Sequence, residues 1–65
     1  MDNGITITKD KEEILIKGSK TDLLELAEYI TKIANSKLEK DHIHLDTLTL
    51  LKKESEVKEL IIEKE

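Results

Sequence analysis

Three residues, His42, His44 and Asp46, have types and a spacing that could carry chemistry. On a strand, positions i, i+2 and i+4 project from one face, with successive members about 7 Å apart. Two imidazoles and a carboxylate are suitable ligands for Zn²⁺ or Fe²⁺ if a break in the strand draws them together. An imidazole beside a carboxylate also suits general acid–base work. An undistorted strand spaces the three too widely for one ion. The competing reading is a polar, open-face strand whose histidines pair with acids or hydroxyls on neighbouring strands. Nothing else in the chain rivals this group. Ser19, Ser36 and Ser55 sit in turn or cap contexts, and cysteine is absent. Gly4 and Gly18 are the two glycines, too few for a phosphate-cradling loop. Carboxylates are plentiful but fall on charged, solvated faces, and a deep cavity needs more chain than this. No catalytic residue and no cofactor is therefore assigned, and His42, His44 and Asp46 stand as a metal-site alternative.

The His-x-His-x-Asp run matches the first five positions of the H-x-H-x-D-H motif of metallo-β-lactamase-like hydrolases. The sixth position here is Thr47, there is no further histidine, and 65 residues cannot build that fold. A chain of this length buries only about 60 % of the surface its unfolded form exposes. Eleven lysines face fifteen carboxylates for a net charge of −4, and Trp, Phe and Pro are absent. That balance excludes a nucleic-acid binder, which wants a basic stripe and stacking aromatics. No apolar run approaches the roughly 20 residues a membrane span needs. The start Met1-Asp2-Asn3-Gly4 has no signal-peptide character. A soluble, cytoplasmic protein is expected.

Although 40 % of the residues are charged, the apolar ones are patterned, which separates this chain from a disordered tail. Ile5-Thr6-Ile7-Thr8 alternates with period two, as does Glu13 to Lys17, and the short polar break between them makes a hairpin. Ser19 reads as an N-cap with Asp22 three residues on. Leu23, Leu26, Ala27, Ile30, Ile33 and Ala34 then form one apolar stripe at helical spacing, with Asn35-Ser36 as the stop. Asp41 to Asp46 alternates again, and Leu48 and Leu50 then take the opposite parity. A regular strand cannot keep both sets inward, so a bulge or break is expected near Asp46-Thr47. Lys52 to Glu56 reads as a polar connection, and Val57 to Glu63 as the last strand.

These elements predict an α+β fold in the order ββαββ. One domain spans residues 1–65, with strands at about 4–8, 13–17, 41–46 and 57–63 and a helix at about 20–35. The expected assembly is a four-stranded, mainly antiparallel sheet with the helix packed on one face. Ile5, Ile7, Ile14, Ile16, Ile43, Leu45, Leu60 and Ile62 should pack against Leu23, Leu26, Ala27, Ile30 and Ile33. On that basis Ile43→Ala and Ile30→Ala should each unfold the domain. The uncovered face then carries His42, His44 and Asp46, flanked by Leu15, Glu59 and Ile61. Those six are the expected partner contacts. A marginal monomer with open strand edges also makes a homodimer an expected partner.

The chain resembles the immunity protein 32 family of bacterial polymorphic toxin systems. The resemblance rests on the Ile-rich hairpin ending at Gly18, the Leu-Leu-Glu-Leu-Ala helix start at 23–27, the His42-Ile43-His44-Leu45-Asp46 strand and the closing Glu59-Leu60-Ile61-Ile62 strand. It implies a small, non-enzymatic cytoplasmic α+β protein that protects the producing cell by binding a cognate toxin. The Lys-rich stretch 52–58 departs from that pattern and leaves the toxin-facing surface open.

Overall fold

The computed structural model describes residues 3–65; Met1 and Asp2, part of the start read for leader character, lie outside the described residues. The elements are β1 (Thr6–Asp10), β2 (Glu13–Lys17), α1 (Lys20–Ala34), β3 (His42–Asp46) and β4 (Glu59–Glu63). This is the α+β, ββαββ order that the periodicities predict. The first strand begins later than expected. Its hairpin closes through Lys9↔Ile14 and Asp10↔Glu13 around the two-residue turn Lys11-Glu12, in which Lys11 takes φ 56°.

The expected four-stranded sheet is corrected by the pairing: β1–β2 and β3–β4 form separate antiparallel two-stranded sheets. The cause is on the second edge of β1. Ile5 donates its N–H to the Leu50 carbonyl and accepts from the Lys52 N–H, both at 2.8 Å, in a parallel bridge to Leu51. Further along, the Ile7 N–H donates to Ser55 Oγ at 2.8 Å, and the Val57 N–H donates to the Ile7 carbonyl at 3.1 Å. The Lys9 N–H donates to Glu56 Oε1 at 2.9 Å. Residues 50–57 thus occupy the edge of β1 that β3 or β4 would need. Val57 is committed to this seam, so the last strand starts at Glu59 rather than at residue 57.

The helix begins as its sequence dictates. Ser19 is the N-cap, accepting from the Asp22 N–H at 3.2 Å and donating to Asp22 Oδ2 at 2.8 Å. At the other end the Asn35 N–H donates to the Thr31 carbonyl and the Ser36 N–H to that of Ile33. Its buried side is narrower than the apolar stripe: Asp22, Leu26 and Ile33 are buried and Tyr29 is partly buried against the core. Leu23 and Ile30 remain 42 % and 44 % exposed, and Ala27 is exposed.

The core is Ile5, Ile7, Leu26, Leu45, Leu50 and Leu51, with Ile43, Val57, Leu60 and Ile62 packed partly against it. Ile14 and Ile16, expected inside, are exposed. Leu50 and Leu51 join Ile5 and Ile7 in the core, which Leu26 of the helix shares, and the helix packs on β3 and β4. Both glycines stand against Ile5. A Cβ on Gly4, at φ +124°, would lie 2.6 Å from the Leu50 carbonyl oxygen, and one on Gly18 2.8 Å from Ile5 Cγ2.

Ser55 is fully buried, and removing its hydroxyl leaves the Ile7 N–H without an acceptor. Ser55→Ala should cost about 1–3 kcal/mol, the penalty of an unsatisfied buried donor. Ile30→Ala, at a half-exposed site, should cost under about 1 kcal/mol. Urea midpoints of the two variants check the pair. Equal losses would mean that the helix, not the seam, carries the fold.

Candidate functional site

The β3–β4 ribbon sorts its residues by register. Ile43↔Ile62 and Leu45↔Leu60 face the core. The alternate pairs His42↔Glu63, His44↔Ile61 and Asp46↔Glu59 therefore project from the other side, as strand alternation requires. His42, His44, Glu59, Ile61 and Glu63 are exposed and Asp46 is half-buried. Five of the six expected contact residues thus share one face. Leu15 does not: it pairs with Thr8 in the other hairpin.

Within the face, His44 Nδ1 and Glu59 Oε2 are 2.9 Å apart. A carboxylate only accepts, so Nδ1 carries the proton in this contact. The pair is diagonal across the strands, a separation that long side chains span. The His42 ring stands edge-on to that of His44, with centroids 5.0 Å apart and planes at 68°. Ile61, 52 % exposed, is an aliphatic spot opposite His44 and between Glu59 and Glu63 on its own strand.

The break expected after Asp46 is a tight turn that Asp46 organises. Its carbonyl accepts from the N–H groups of Thr49, Leu50 and Leu51 at 3.1, 3.1 and 2.9 Å. Its Oδ1 accepts from the Leu48 N–H at 2.9 Å, and its own N–H donates to Thr49 Oγ1 at 2.8 Å. The turn carries Leu48 out to solvent, 91 % exposed, and brings Leu50 and Leu51 into the core.

These engagements bear on metal binding. Asp46 is committed to the turn and His44 Nδ1 to Glu59, while the strand stays extended through all three residues. Among the described residues no group of three or more His, Asp or Glu side chains could hold a metal ion. The face offers hydrogen-bond donors, acceptors and one exposed aliphatic side chain.

Ahead of β3, Asp41 fixes the strand's entry. Its Oδ2 accepts from Ser36 Oγ at 2.7 Å and its Oδ1 from the His42 N–H at 2.9 Å, while its carbonyl accepts from the Lys64 N–H at 2.8 Å. The Ser36 hydroxyl above all, then the His42 N–H and the nearby His42 and Lys64 charges, hold its carboxyl below the ordinary aspartate value. Asp22 is held down in the same way, first by the Ser19 hydroxyl and then by the Gly4 backbone. Helix-start signals and strand alternation pick out Asp22 and Glu63 from the sequence, whereas Asp41 is missed. Asp41 carries no periodic signal.

The family model described as immunity protein 32 matches residues 13–65. No curated protein and no solved structure matches the chain. No helix among the described residues is long and apolar enough to cross a membrane.

Both depressed carboxyls favour the folded state in their ionised form. Their contribution is complete above the ordinary value of 3.8 and is lost as pH falls through the lower folded-state values. Ser36→Ala removes the largest cause at Asp41, so it should lower stability at neutral pH and flatten the acid limb of the stability curve. Urea midpoints between neutral pH and about pH 2 measure this. A variant curve parallel to the parent's at every pH would show that Asp41 contributes nothing through its charge.

Proposed function

The chain belongs to the immunity protein 32 family, and from that membership we propose that it neutralises a cognate bacterial toxin by binding it directly in the cytoplasm, without catalysis of its own. The observation that supports this reading is the outward face of β3–β4. It gathers His42, His44, Asp46, Glu59 and Ile61 on one side of a two-stranded ribbon, the side opposite its core-facing residues. Such a face has the make-up of a docking surface: one apolar anchor surrounded by polar groups that exclude water and set orientation.

Its charge is compatible with a basic partner. Asp46, Glu59 and Glu63 give the ribbon an acidic edge on a protein of net charge −4. Complementary fields raise the association rate with a basic target, so the toxin surface that fits is positively charged with a hydrophobic pocket for Ile61. Leu15 stands on the other hairpin and has no part in this contact.

Co-expression with the toxin encoded beside the gene, followed by affinity capture, tests the proposal. Rescue of growth and co-purification are expected. Ile61→Asp should weaken capture by roughly tenfold or more, with an unfolding midpoint close to the parent's because the side chain is half in solvent. Rescue that survives both Ile61→Asp and His44→Ala would move the toxin contact away from this face.

A further inference from the structure

The outer edge of β2 has a composition and a hydrogen-bonding phase that fit a second copy of itself. The phase follows from β1. Ile5, Ile7 and Lys9 direct their backbone groups to residues 50–57, so Thr6, Thr8 and Asp10 direct theirs to β2. Their partners Lys17, Leu15 and Glu13 are then the inward-bonding residues of β2. The N–H and C=O groups of Ile14 and Ile16 point to the opposite edge, where no backbone hydrogen bond is made among the described residues. An exposed edge of this kind is a template for strand addition.

The side chains select the occupant. β2 reads Glu13-Ile14-Leu15-Ile16-Lys17, and every residue of it is exposed. Laid antiparallel on a copy of itself and centred on Leu15, it sets Glu13 opposite Lys17, Ile14 opposite Ile16, and Leu15 opposite Leu15. Both charged pairs are complementary, and both Ile14–Ile16 pairs present outward-pointing backbone groups that can exchange hydrogen bonds. A shift of one residue puts outward groups against inward ones, and a shift of two sets a charge against Leu15. Parallel alignment opposes Glu13 to Glu13. The sequence therefore fits one register with itself and no near neighbour of it.

We propose that this protein self-associates through β2, two copies joining as a continuous antiparallel sheet centred on Leu15. Ile14 and Ile16 lie on the same face of the hairpin as buried Ile7, so pairing joins the aliphatic residues left exposed on each copy into a shared layer. This inference does not rest on the toxin contact, which uses the other sheet.

Sedimentation of the purified protein from micromolar to millimolar concentration should show a monomer–dimer equilibrium. Glu13→Lys and Lys17→Glu each place like charges opposite one another at both ends of the junction, and each should weaken the dimer roughly tenfold. Mixing the two variants restores complementary pairs and should return a heterodimer, and the chain carrying both changes should dimerise alone. Leu15→Cys supplies an independent reading, because the chain has no cysteine. Residues opposed in a non-hydrogen-bonded pair lie about 4.5 Å apart at Cα, within disulfide reach, so air oxidation should cross-link Leu15→Cys and leave Leu48→Cys monomeric. A monomer at every concentration overturns the proposal, as does a dimer indifferent to the charge reversals or a Leu15→Cys protein that fails to cross-link. No toxin is present in any arm, so failure here leaves the toxin reading untouched.

Discussion

β1 has two edges to satisfy, and only one of them meets a regular strand. On the other, Ile5 and Ile7 must find partners in residues 50–57, a stretch too irregular to supply a carbonyl at each step. Ser55 closes the gap. Its hydroxyl accepts from the Ile7 N–H and reaches the Val57 carbonyl at 2.6 Å, replacing one rung of a ladder with a side chain. Buried backbone donors left without acceptors are costly, so this hydroxyl permits a non-strand segment to lie against β1. The two hairpins are joined into one body chiefly through that seam. The glycines serve the same contact, since each stands where a Cβ would collide with Ile5 or with the carbonyl that Ile5 bonds.

The seam also determines what is left uncovered. With Leu50 and Leu51 in the core beside Ile5 and Ile7, the helix buries only a narrow stripe along Asp22, Leu26 and Ile33. A chain of this size has too little volume to enclose every aliphatic it carries. Ile14, Ile16, Leu23 and Ile30 are the surplus. Ile14 and Ile16 share the Ile7 face of the first hairpin, and Leu23 and Ile30 lie on the helix.

Period and parity revealed most of the architecture. The helix, all four strand positions to within two residues, and the break at Asp46 were legible because each is a local pattern that burial enforces. The parity conflict between Leu45 and Leu50 was informative: it marked the turn that places two leucines in the core. Sequence logic failed where a long-range partner decided the outcome. Nothing in Lys52-Lys53-Glu54-Ser55-Glu56 announces that its serine is fully buried, because the demand comes from an N–H on a strand 48 positions away. The same missing knowledge misplaced Ile14 and Ile16. Their alternation is correct, but the face they share with Ile7 runs past the end of the core. For the imidazole face the alternation sufficed, since His42, His44, Glu59 and Ile61 follow from strand parity alone. Leu15 was grouped with them because a single sheet was assumed.

The charge arrangement on that face distinguishes structural acids from those free to act at a distance. Asp46 and Glu59 stand opposite one another, a pairing that like charges disfavour. The strain is relieved by turning each away: Asp46 into the turn it caps, Glu59 onto His44. The like-charge contact across the ribbon is thus relieved locally, by one hydrogen-bonded turn and one imidazole. Anything that then binds the folded ribbon, or the β2 edge, also stabilises the seam between them, because ligands of the native state draw the whole folding equilibrium toward it.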